Sequence, residues 1–187
     1  GPMTPGAGWN RGARWIWPAA LLAVGCWILP LSILGPGFAR VPGDLGDARL
    51  NNYLLEHGYR WLAGLDPAFW DAPFFFPARN VVALSDCHLG TLPLYAAFRG
   101  IGLDRESAFQ WWVLGLFALN FGAAHWALRR LSLAPAGAAA GAFLFAFALP
   151  QAARMVHVQL VPRFCVPLAF LFAWDYLTTR RATSLAG

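Results

Sequence analysis

The chain of 187 residues contains no lysine, only 12% charged residues and three cysteines. An ordinary soluble domain carries about 25% charged residues. Half that fraction, beside 58% hydrophobic and 16% aromatic residues, excludes a soluble globular domain and implies an integral membrane protein. Cys26 and Cys165 lie in apolar segments and Cys87 in a loop, without metal-ligand spacing or an even-numbered framework, so neither disulfides nor cysteine chemistry are expected. All 14 basic residues are arginine; with the abundance of Ala, Gly, Leu and Pro, this points to a GC-rich, bacterial genome. The pI near 9.7 is no sign of a nucleic-acid partner, because the arginines cluster at the borders of apolar runs. Internal repeats and low-complexity linkers are absent. Gly1 and Pro2 ahead of Met3 read as a protease-cleavage scar, leaving 3–187 as a single transmembrane domain.

A bilayer core about 30 Å thick takes roughly 20 apolar residues as helix, and four stretches qualify: 15–34, 107–128, 133–153 and 161–178. The first is too long for a cleaved signal peptide, and Trp17 and Trp27 suit a retained span. Leu89 to Gly102 rises only about 21 Å as helix and fits the membrane surface better. With the N-terminus inside, four spans put Arg11 and Arg14, Arg129 and Arg130, and Arg180 and Arg181 on the cytoplasmic side. The expected fold is therefore all-α, with both termini cytoplasmic in a bacterial inner membrane. The small residues of "APAGAAAGA" would let the third helix pack closely.

This topology sends 35–106 outside as one long loop holding eight of the nine acidic residues. Between Asp44 and Glu106 they face five arginines, a local net charge of −3. In "VPGDLGDARLNNYLLEHGYRWL", Leu50, Tyr53, Leu54, His57 and Trp61 recur at helical spacing, predicting an interfacial amphipathic helix near 47–62. Asp47 and Asn51 share a face of it. A second surface helix is expected near 89–102.

An acidic residue opening the loop, a surface helix ("GDARLNNYLLEHGYRW"), an aromatic-proline stretch ("FWDAPFFFP"), entry through "HLGTLPLYAAFR" and a span ending in "LRR" resemble the N-terminal module of the GT-C polytopic glycosyltransferases. The resemblance runs from about Arg14 to Arg181, and "HVQL", His157 to Leu160, looks like a His-x-Gln element of some relatives. It implies transfer of a sugar from a polyprenyl-phosphate or polyprenyl-diphosphate donor on the outer face of the membrane, often with a divalent metal. Relatives of this kind have more spans and a further outer domain, so the chain reads as the first module of a longer enzyme.

The chemistry of such a transfer assigns candidates independently. A base is needed for the acceptor hydroxyl and positive charge for the departing phosphate. Asp44 or Asp47 can be that base or a metal ligand. Arg163 and Arg154 are candidates for the phosphate, since guanidinium forks match its oxygens. His88 and His157 could complete a site for Mg, Mn or Zn with the two aspartates, and Asn51 and Gln159 would line it. The expected partners are a lipid-linked sugar, membrane lipid and an acceptor of unspecified class.

Each candidate also has a plainer reading. Asp47 is a natural helix N-cap and Asp44 a natural turn residue. Glu56 and Arg60 are spaced as a helix ion pair, His57 reads as an interface residue, and His125 as a packing residue. Asp175 is expected to pair with Arg180 or Arg181. A non-catalytic assembly subunit would share most of these features; a transporter fits less well, because the spans are nearly free of charge.

Overall fold

The computed structural model describes residues 13–180, and every regular element among them is helical. Four segments are long and apolar enough to cross a membrane: Trp15–Phe38, Arg105–Arg130, Pro135–Val156 and Val158–Thr179. The arginines expected at the inner border at positions 11 and 181 lie outside the described residues.

The first span is α1 (Ala13–Ile28) followed by the short α2 (Pro30–Leu34). Two helices, α3 (Asp47–Leu62) and the shorter α4 (Leu92–Gly100), lie in the long connection before α5 (Arg105–Arg130). The 26 residues of α5 rise about 39 Å, and this helix is the pillar against which α1, α4 and the later helices pack. Its start is fixed by Asp104, whose side chain accepts from the Ser107 amide at 2.7 Å, meeting one of the amides that a helix N-terminus leaves free.

The third span is not continuous. It consists of α6 (Pro135–Phe147) and α7 (Leu149–Ala153), separated by Ala148 in an extended conformation. Pro150 explains the break: it lacks an amide hydrogen and clashes with the preceding turn, so it is accommodated in the first turn of a new helix. Two short 3₁₀ turns, Arg154–Val156 and Val158–Leu160, then lead to α8 (Cys165–Thr179).

Small residues make the bundle tight. Ala138, Ala139, Ala142 and Ala146 of α6 and Ala124 and Ala127 of α5 are buried in the bundle, where α5 and α6 pack together. Gly25 of α1 lies so near Phe147 that an added Cβ would stand 2.3 Å from the ring, so this close α1–α6 approach requires glycine. Outward-facing Trp27, Leu144 and Phe170 are more than half exposed, a surface suited to lipid.

Helix α3 has the predicted bounds, but its buried face is rotated from the predicted one. Asn51, Leu54, Leu55, His57 and Gly58 are buried, whereas Leu50 and Trp61 are exposed. Gly58 permits the contact with α4, since a Cβ there would meet Leu92 at 2.9 Å. Glu56 does not pair with Arg60; it holds Arg99 at 2.8 Å and accepts from Tyr95 Oη at 2.8 Å, tying α3 to α4. Arg60 instead holds Asp66, which also meets Nδ1 of the buried His57 at 3.1 Å. Nε2 of His57 faces the Phe69 carbonyl at 2.8 Å, so this residue closes the loop after α3 from inside the fold. Asp175 pairs with Arg130 at 3.7 Å, an α8–α5 bridge; of its two expected partners, Arg181 lies outside the described residues.

Candidate functional site

Asp47 is the first residue of α3, yet it is not the N-cap. Gly46 holds that position and makes no side-chain cap. Asp44 organises the turn instead: its Oδ1 accepts from the amides of Gly46 at 3.0 Å and Ala48 at 3.4 Å. The Asp47 carboxylate is thereby free to reach the 3₁₀ turns that follow α7. Its Oδ2 lies 2.5 Å from Nδ1 of His157 and 3.3 Å from Nε2 of Gln159.

The network continues inward. Asn51, one turn along α3, donates from Nδ2 to Oε1 of Gln159 at 2.9 Å and to the Asp47 carbonyl at 2.7 Å. With its amide nitrogen so committed, Oδ1 of Asn51 is the acceptor for Nε2 of His88, 2.5 Å away. His88 therefore carries its hydrogen on Nε2. Its ring also stands edge-on to Trp112, a fully buried residue of α5. Donation runs in one direction, from His88 through Asn51 and Gln159 to Asp47, and His157 donates to the same carboxylate from the other side. The sequence positions 47, 51, 88, 157 and 159 meet in one cluster.

The electrostatics follow from these contacts. Hydrogen bonds from His157 and Gln159, with the His157 charge as a smaller contribution, lower the Asp47 pKa below the ordinary carboxylate value. Placement in the first turn of a helix favours the anion as well. Burial depresses His88 to about 4, so its ring is neutral at physiological pH. Nδ1 of His157 is taken by Asp47, and Nε2 of this half-exposed ring has no hydrogen-bond partner among the described residues.

The segment that supplies His157 and Gln159 also carries both candidate phosphate arginines. Arg154 donates to Gln151 Oε1 at 3.3 Å. Arg163 donates to the Phe145 carbonyl at 3.3 Å and stacks over the Phe145 ring at 5.2 Å, while its enclosed Nε meets no acceptor. Neither guanidinium has a carboxylate partner among the described residues, and the two are close enough for their charges to repel. Such a pair favours an anion placed between them.

Two residues not singled out in the sequence hold this segment in place. Asn120, completely buried in α5, donates to the Val161 carbonyl at 2.8 Å and accepts from the Arg163 amide at 2.8 Å. Gln151, also completely buried, reaches the same carbonyl at 3.1 Å. Both satisfy backbone groups freed where Pro162 interrupts helix formation. The available signal was an amide side chain within a largely apolar span.

Asp44, Asp47, His88 and His157 do not assemble as a four-ligand metal site. Only Asp47 and His157 meet; His88 is bound to Asn51 and Asp44 to its own turn. No three His, Cys, Asp or Glu side chains gather as a metal site among the described residues. Asp44 also lies apart chemically, lining a cleft with Arg40, Arg49 and Asn52. His125 stacks on Phe121 within α5. Comparison with known protein families, curated proteins and solved structures finds no match.

Proposed function

We propose that this chain is a GT-C-type membrane glycosyltransferase, or the N-terminal module of one. In this reading it transfers a sugar from a polyprenyl-phosphate-linked donor to an acceptor hydroxyl at the outer face of a bacterial cytoplasmic membrane, with both termini in the cytoplasm. The observation that carries the reading is the pairing of Asp47 with His157, on a segment whose two ends bear the carboxylate-free Arg154 and Arg163.

The hydrogen bonds divide the roles. Asp47, held anionic by its neighbours, is a poor base near neutral pH but a good orienting group, since it fixes the His157 hydrogen on Nδ1. His157 Nε2 then takes the proton of the acceptor hydroxyl as that oxygen bonds to the anomeric carbon. The bond from that carbon to the phosphate oxygen breaks, its electrons leave with the lipid phosphate, and Arg154 and Arg163 neutralise the charge that develops. Gln159 and Asn51 keep the carboxylate in register, and His88 anchors them to α5.

The test is sugar transfer by the full-length protein in membranes, from a polyprenyl-phosphate sugar to the native acceptor. His157→Ala is expected to abolish turnover, and Arg163→Gln to weaken use of the donor. Full turnover by His157→Ala and Asp47→Asn together would overturn the enzymatic reading in favour of an assembly subunit.

A further inference from the structure

A second face of α3 borders a cleft of about 720 Å³ whose lining includes Arg40, Asp44, Arg49, Asn52 and the Arg105–Glu106 pair. None of the Asp47–His157 cluster lines it. Three features mark it as built for a ligand. Asn52 is only 7% exposed, yet its Oδ1 is enclosed and has no hydrogen-bond partner. Buried amide oxygens are almost always satisfied, and isosteric leucine would fill this helical position without the desolvation cost. Arg40 and Arg49 are exposed, with no carboxylate partner among the described residues. Asp44 offers only Oδ1 to its turn amides, leaving Oδ2 at the cleft without a protein donor.

We infer that this cleft binds a sugar unit bearing an anionic group, a carboxylate or a phosphate. The Asn52 carboxamide and Asp44 Oδ2 match the hydroxyls of a pyranose or furanose ring. The unpaired guanidinium groups of Arg40 and Arg49 match the anion, and α3 sets the spacing between the two kinds of contact. Arg105 is already neutralised by Glu106 at 2.6 Å, so the site has two available cations, not three. The inference deepens the transferase reading by naming the acceptor class as an anionic glycan and rests on that reading only for the word acceptor; binding is measurable without transfer.

The experiment titrates the full chain, in phosphatidylcholine nanodiscs, with glucuronate, glucose 6-phosphate, glucose and inorganic phosphate, using tryptophan fluorescence as the readout. Saturable binding is expected for the two anionic hexoses, each tighter than glucose or phosphate. Asn52→Leu is expected to weaken it about tenfold, the equivalent of one hydrogen bond of about 1.4 kcal/mol, while melting no lower than wild type. Arg49→Gln, at an exposed position that does not threaten folding, is expected to reduce affinity for the anionic hexoses and leave glucose unaffected. Asp47→Asn should bind them normally, which separates failure here from failure of the transferase reading. Equal binding of phosphate alone, no saturation, or loss of binding in phosphatidylglycerol discs, where a lipid headgroup takes the cleft, would each overturn the proposal.

Discussion

Asn51 donates to Gln159 at 2.9 Å across 108 residues of sequence, and this bond sets the direction of the hydrogen bonds that run from His88 to Asp47. Because Nδ2 of Asn51 faces Gln159 Oε1, its Oδ1 must face His88 and Gln159 Nε2 must face Asp47. Helix α3 and the segment after α7 are thereby joined by side chains alone. Asn51→Leu, of similar size, leaves the His88 hydrogen and Gln159 Oε1 without partners. It is expected to lower stability by about 2 kcal/mol, read as a fall in melting temperature.

The Asp47–His157 contact allows a second, sharper test. Asp44 and not Asp47 organises the start of α3, so Asp47→Asn is expected to leave helix content unchanged by circular dichroism. If Asp47 acts through His157, each of Asp47→Asn and His157→Gln reduces transfer by about 10²–10⁴-fold. The double variant is then no worse than the more damaged single one. Multiplying losses would show that the two residues act separately.

The four spans were legible because burial in lipid demands apolar length and little else, and α3 was legible because its two sides differ in polarity. The break at Ala148 was not, although Pro150 stood in the sequence, because a proline inside an apolar run is compatible with a kinked continuous helix. Asp47, Asn51, His88, His157 and Gln159 could be named singly from residue type and place in the topology. Their order in the network could not: Asn51 serves as the bridge to His88 only because a 3₁₀ turn brings Gln159 beside it. Asp44 and Asp47, three residues apart, looked interchangeable until the backbone of the turn gave one to its own amides and the other to His157.

His88 makes the fold sensitive to mild acid. Its pKa of about 4 lies below the 6.5 of a free imidazole, so between these values the unfolded chain holds a proton that the folded one excludes. The stability is complete above about pH 6.5 and declines as pH falls toward 4, by about 3 kcal/mol in all. Asp47 and Asp66, lowered by their partners, lose their contributions only as pH falls further. His88→Gln keeps an N–H for Asn51 and cannot titrate. Its melting temperature is expected to vary less than wild type between pH 6.5 and 4.

The proposed orientation is tested by position. Cys87, partly exposed in the connection before α4, is expected to react with an impermeant maleimide in intact cells, and reporters fused at Arg130 and Gly187 should both report the cytoplasm. Reporters on opposite sides would sink the four-span topology.

Asn120 is the residue on which the arginine segment depends most. It lies in the middle of α5, fully buried among aromatic and aliphatic side chains, and satisfies both the Val161 carbonyl and the Arg163 amide. Asn120→Leu keeps the volume and removes both bonds. The carbonyl retains Gln151 at 3.1 Å, whereas the Arg163 amide loses its side-chain acceptor. The expected cost is about 1–3 kcal/mol, less than for two orphaned groups. The functional effect should be larger than the thermal one, because Arg163 then loses its fixed position relative to Arg154 while both charges remain. Donor KM is expected to rise. Asn120→Asp, which keeps the acceptor for the Arg163 amide but turns a second oxygen toward the Val161 carbonyl, should restore little. Wild-type donor KM in Asn120→Leu would show that the segment holds its shape without this clamp.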